Sequence, residues 1–178
     1  MAKVCVFLAE GFEEVEGLTV VDLLRRAGEE VLMVSIGTSL EVTGSHGIKV
    51  SADRLFEEAD YSDADMLVLP GGMPGTLHLG EHKGLTELLI KFNEADKKVA
   101  AICAAPGVFG ANGILKGRKA TCYPGCEEKL KGAVLSEEAV VRDKNVTTSR
   151  GVGTAIAFAL ELISQLEEIG RASCRERV

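Results

Sequence analysis

Two kinds of hydrophobic pattern alternate along the chain. Residues 3–9 are an almost unbroken apolar run, with Val4, Val6 and Phe7, that stops before Gly11. A run this short and continuous predicts a strand buried on both faces. The period then changes: Val15, Leu18, Val21 and Leu24 recur at helical spacing, and Gly28 closes the segment. That predicts an amphipathic helix with those four side chains turned inward. A second strand is predicted over 30–36, and a small hairpin or strand excursion over 37–52, where Gly44 and Gly47 separate short β-like runs. Next come a buried strand over 65–69, a helix over 85–96 and a strand over 99–102 that runs straight into Cys103. A small-residue helix with Pro106 near its start follows. Strand candidates at 119–122, 139–142 and 145–148 precede a closing helix over 154–166.

Strands that alternate with helices imply βαβ units, and hence a mostly parallel sheet covered on both faces. Ligands of such open sheets bind outside the carboxyl ends of the strands. Three segments of unusual chemistry fall at such ends: residues 11–16, 70–75 and 103–106. No repeat, linker or low-complexity stretch divides the chain, so one domain over residues 1–168 is expected.

The last ten residues, IGRASCRERV, break the pattern. They follow a helix without a cap and carry three arginines with no apolar periodicity. Their reverse translation reads as a common sequencing-library adapter in frame, so residues 169–178 are set aside as an assembly artefact. Setting them aside removes three arginines, one glutamate and Cys174, and takes the formal net charge from -7 to -9.

That charge, with no basic stripe interleaved with aromatics, argues against a nucleic-acid surface. No run approaches the roughly 18 apolar residues of a membrane span, and the N-terminal apolar run is too short for a signal peptide. A cytoplasmic protein is expected, and an odd set of five cysteines then reads as reduced thiols.

The candidate chemistry sits at the three strand ends. In VAAICAAPG a short strand stops at Cys103, and Ala104, Ala105 and Gly107 leave little bulk around the turn. A nucleophile elbow needs that sparseness so that its reactive atom can project. The helix start that follows would favour thiolate over thiol; the same pattern also fits an inert buried cysteine. GFEEVE supplies Glu13, Glu14 and Glu16, of which one need point at the thiol to act as general acid or base. Spacing alone does not choose between Glu16 and Glu13. PGGMPG offers Gly71 and Gly72, whose amides can stabilise an oxyanion beside the sulfur, or simply form a tight turn. It lacks the signature of a phosphate loop. Cys122 and Cys126 form a C-x3-C pair without a second pair or a nearby histidine, so no zinc site and no other metal is expected. Arg26 and Arg150 are candidates for positive charge near an anionic ligand and fit solvated arginines equally well; His46 fits a surface residue better than a catalytic base but is a candidate for a pocket position.

LAEGFEEVE, LPGGMPG, AAICAAPG and TSRGVGT, in this order and at these separations, resemble the ThiJ/PfpI superfamily, most closely the branch that contains the parkinsonism-associated protein deglycase. The resemblance extends to about Gln165. It implies a flavodoxin-like three-layer sandwich that forms homodimers, with Cys103 as nucleophile, Glu16 as its carboxyl partner, and backbone amides of Gly72 and Ala104 around the thiol. The implied activity is that of a cofactor-independent glyoxalase or protein deglycase, acting on 2-oxoaldehydes such as methylglyoxal or on early glycation adducts. Members are also described as oxidative-stress sensors or chaperones using the same cysteine. The peptidase-like branch places histidine directly after the cysteine, where this chain has Ala104, which disfavours a cysteine peptidase or amidase. Tyr123 stands where the deglycase branch often has histidine, and His46 where relatives often have arginine.

Overall fold

The computed structural model describes the backbone of residues 1–175 and the side chains of residues 1–168. The elements in chain order are β1 (Lys3–Leu8), α1 (Glu14–Arg26), β2 (Glu30–Ser35), β3 (Glu41–Thr43), β4 (Lys49–Ser51), β5 (Arg54–Leu55) and β6 (Met66–Leu69). They continue with α2 (Gly75–Glu81), α3 (Lys83–Glu94), β7 (Lys98–Ile102), α4 (Pro106–Ala111), β8 (Lys119–Ala120), β9 (Val134–Leu135), β10 (Val140–Asp143), β11 (Val146–Ser149) and α5 (Ala155–Arg175).

Seven strands form the central sheet in the order β10-β11-β7-β6-β1-β2-β5. All its pairings are parallel except the β10–β11 hairpin at one edge. This is the mostly parallel, doubly covered sheet that the alternating pattern predicted, in the flavodoxin-like arrangement that the resemblance implied. β3 and β4 form the separate antiparallel excursion, reached from β2 through residues 36–40.

Strand β1 shows why continuous apolar runs were needed. Val4, Val6 and Leu8 face one core layer with Phe12, Leu24, Phe158 and Leu162, against α1 and α5. Cys5, Phe7 and Ala9 face the other, with Leu67, Leu69, Leu85, Leu89 and Phe109, against α2, α3 and α4. Alternate residues therefore feed opposite layers, and neither face of the strand is left for solvent.

Three expectations change. Helix α1 buries Glu14, Glu16, Gly17, Val20, Val21 and Leu24, whereas Val15 is exposed and Leu18 only half-buried. The inward face at the start of the helix is thus acidic: Glu16 turns toward Gly71 and Glu14 toward Ser45 and His46. The 119–122 candidate forms only β8, which pairs with β9 outside the central sheet. Helix α2 was absent from the pattern reading: its GTLHLGE sequence carries two glycines and little helical periodicity, and tertiary packing supplies what propensity lacks. The expectation for residues 169–178 falls outside the described side chains; the backbone is helical to Arg175.

Candidate active site

β1, β6, β7 and β11 are parallel neighbours, so their carboxyl ends open on one edge of the sheet. A cavity of about 630 Å³ lies there, with walls drawn from the segment entering α1 (Glu13, Glu16), the turn after β6 (Gly72, Met73), the elbow after β7 (Cys103, Ala104) and the loop after β11 (Arg150 to Thr154). Tyr123, Pro124 and Cys126 complete it. The predicted convergence of strand-end segments is therefore the actual construction of the site.

Cys103 sits in the left-handed region at φ +66°, which costs a residue with a Cβ about 1–2 kcal/mol. Backbone bonds on both sides hold it there. Its N–H donates to the Ser149 carbonyl at 3.0 Å, and its own carbonyl accepts from the Tyr123 N–H at 2.8 Å. The turn throws the sulfur forward into the cavity, as an elbow nucleophile requires.

Glu16, rather than Glu13, reaches the sulfur. It is 1% exposed, accepts the Gly71 N–H at 2.9 Å, and accepts a hydrogen bond from the Cys103 thiol. Glycine is required at position 71, because a Cβ there would lie 2.5 Å from Cys103 Cβ and 2.6 Å from Glu16 Oε2. Burial pushes the Glu16 carboxyl up to about 7, against the hydrogen bonds from Cys103 and Gly71 that hold it down. The backbone N–H groups of Ala104 and Gly72 point at the sulfur, while that of Gly71 is committed to Glu16.

The expected thiolate is corrected here. Burial first, then the adjacent Glu16 charge and the bond donated to it, push the Cys103 thiol up to about 12. The amides of Ala104 and Gly72 oppose this but do not outweigh it. The resting pair is thus a thiol on a carboxyl that can take its proton.

Tyr123 and Arg150 line the cavity as expected; the Arg150 guanidinium also donates to the Glu137 carbonyl at 2.9 Å. Arg26 does not line it: it sits in the last turn of α1, paired with Asp22 at 2.9 Å. His46 does not line it either, because the β3–β4 excursion places it over Glu14, with Nδ1 3.1 Å from Oε2. Glu13, Glu14 and His46 bring one ligand atom each to within 4.8 Å of one another. Among the described residues this is the one trio able to hold a cation, and hydrogen bonds to Ser45 and to the backbone of His46 and Ile48 already occupy it. No histidine is among the residues lining the cavity. Cys126, weighed only as half of a metal pair, lines the cavity, and Met73, Pro124, Val152 and Thr154 were missed. Their only signal was proximity in sequence to residues already singled out, and side-chain direction in a loop has no periodicity to read.

The match to the DJ-1/PfpI family model spans residues 2–165. This chain belongs to the DJ-1/PfpI family. Over 164 residues it is 40% identical to protein DJ-1 homolog B of Arabidopsis thaliana, covering 92% of this chain and 37% of that protein; the chain thus spans little more than a third of that relative's length. It is 34% identical over 168 residues to a deglycase of Pyrococcus abyssi (strain GE5 / Orsay), covering 93% of this chain and 99% of that one. The solved structure of oxidized Toxoplasma gondii DJ-1 superposes with a TM-score of 0.90 at 36% identity, covering 93% of this chain and 91% of that one. The family membership and the flavodoxin-like fold expected from the motifs therefore stand. No described helix is long and apolar enough to cross a membrane.

Proposed function

We propose that this DJ-1/PfpI protein is a cofactor-independent glyoxalase or deglycase, in which Cys103 attacks the aldehyde of a 2-oxoaldehyde or its early adduct. The observation that carries the reading is the thiol donating to a buried carboxyl whose proton affinity is tuned close to neutral pH. A group poised there serves equally as base and acid. The deglycase name of a relative supports the same chemistry.

With methylglyoxal the steps balance as follows. Glu16 takes the thiol proton as sulfur bonds to the aldehyde carbon, and the new oxyanion is met by the N–H groups of Ala104 and Gly72. Glu16 returns that proton to the oxygen, which gives a hemithioacetal and leaves the carboxylate ionised. Glu16 then removes the hydrogen on the former aldehyde carbon as a proton, the electron pair forms the double bond of an enediolate, and its one hydroxyl proton passes to the former ketone oxygen. Return of the proton to the neighbouring carbon leaves a lactoyl thioester. Water cleaves the carbon–sulfur bond, releasing lactate and the thiol, with no net oxidation. The cleft's opening to solvent admits both the carbonyl substrate and the hydrolytic water.

Lactate production from methylglyoxal without glutathione is the test. Wild-type turnover no higher than that of Cys103→Ala refutes the reading. A non-enzymatic redox sensor at Cys103 is the second reading, supported by the oxidized state in which the Toxoplasma gondii relative was solved. A protonated Glu16 would donate to a sulfinate there, and selective peroxide oxidation of Cys103 without turnover would favour it. We also propose that the chain acts as a cytoplasmic homodimer. Exposed Val15 and Ile48 beside the site are apolar surface for such a contact. Light scattering at the monomer mass, about 19 kDa by the chain's 18.9 kDa, refutes the dimer.

A further inference from the structure

Two thiols outside the Cys103–Glu16 pair share the turn that closes the cavity. Cys122 is 2% exposed and belongs to the core layer under α4, and Cys126 is half-buried and packs against the same layer. One backbone oxygen ties them together. The Tyr123 carbonyl accepts the Cys122 thiol at 3.4 Å and the Cys126 N–H at 3.0 Å, which caps the distance from Cys122 sulfur to Cys126 nitrogen at 6.4 Å. Cys126 is also a wall residue of the cavity, open to small solutes, whereas Cys122 is not.

From this geometry we propose that Cys122 and Cys126 are a peroxide-sensitive modification site, closing to a disulfide across the Tyr123–Cys126 turn. Cys126, the accessible sulfur, attacks one oxygen of a hydroperoxide; the O–O bond breaks and the other oxygen leaves as water or alcohol, giving a sulfenic acid. Cys122 then attacks the Cys126 sulfur, the S–O bond breaks, and hydroxide leaves as water with the Cys122 proton. Two thiols lose two electrons and the peroxide gains them. Burial, with Glu127 and Cys126 nearby, pushes the Cys122 thiol up to about 11, so the closing step speeds up as pH rises.

The consequence reaches the active site through the same turn. Tyr123 N–H holds the Cys103 carbonyl at 2.8 Å, and the Tyr123 ring lies 3.3 Å from where a Cβ on Gly151 would sit. Drawing the Cys126 sulfur toward Cys122 takes it out of the cavity wall and stiffens the segment that carries Tyr123. The pair therefore writes the redox state of the surroundings into the shape of the cleft, independently of any chemistry at Cys103.

Trypsin releases both cysteines in one peptide, residues 120–129. After hydrogen peroxide treatment of the whole protein and blocking with iodoacetamide, that peptide is expected unalkylated and lighter by two hydrogens. The same result is expected in Cys103→Ala, which has no nucleophile for turnover and so separates this proposal from the glyoxalase reading. In Cys126→Ser the loss of two hydrogens is expected to vanish and Cys122 to take the alkyl group. Full alkylation of both cysteines under peroxide that oxidises Cys103 overturns the proposal, as does a cross-link from Cys126 to Cys103 in place of Cys122.

Discussion

Replacing Glu16 by glutamine isolates the charge of the buried carboxyl from its hydrogen bonds. Glutamine keeps the shape and an acceptor for the Gly71 N–H, while its amide nitrogen meets the sulfur as a donor, so the thiol accepts there instead of donating. Proton affinity is what changes. A carboxyl at 4.5 when unfolded and about 7 when folded holds more protons in the native state, so stability falls as pH rises through that window and levels off above it. The full span corresponds to about 3 kcal/mol, most of which falls between pH 5 and pH 8. Glu16→Gln carries none of this dependence. Urea denaturation at the two pH values is the assay, and the variant is expected to gain roughly 2–3 kcal/mol on wild type at pH 8 relative to its difference at pH 5. Turnover is expected to fall by a factor on the order of 10²–10⁴, the usual worth of a positioned proton carrier. The Cys103 thiol, relieved of the neighbouring charge, is expected to titrate lower in the variant. A stability difference that does not change with pH, or an unmoved Cys103 titration, would refute the burial argument.

Activity and stability should respond oppositely to pH: kcat/KM is expected to rise about tenfold per pH unit below about 7 and then plateau, since only ionised Glu16 takes the thiol proton. A flat profile between pH 5 and 8 contradicts this. Gly71→Ala drives a methyl into Cys103 Cβ and Glu16 Oε2; thermal and kinetic assays should show about 1–3 kcal/mol lost and turnover down on the order of 100-fold. Phe158→Ala, at a wholly buried site in the α1–α5 layer, is expected to cost about 3–5 kcal/mol in urea titration. Ile156→Ala on the exposed face of the same helix is expected to stay within about 0.5 kcal/mol.

Much of this molecule is written in local pattern. The continuous apolar runs at β1, β6 and β7 and the helical periods of α3 and α5 specify a covered parallel sheet, because a strand with no polar alternation has no stable place at a solvated face. The four motifs that carry the family resemblance lie on strand ends, where backbone turns demand small residues, and such demands are legible residue by residue. Spacing left Glu16 as one of three acids, the resemblance named it, and the fold brings it to the sulfur. Which carboxyl meets the sulfur depends on how α1 is rotated against the sheet, and that rotation turned Val15 outward and Glu14 and Glu16 inward. Arg26 and His46 fell away from the cavity for the same reason, since distance in space is set by packing and not by chain separation. The protonation of Cys103 was likewise a tertiary result: a helix start in sequence promised a thiolate, but burial beside a carboxylate outweighs a few amide dipoles. Composition and period determine where a reactive cysteine is displayed. Only the packed cleft decides which proton it holds and which carboxyl takes that proton, because desolvation and charge proximity exist only once distant segments are brought into contact.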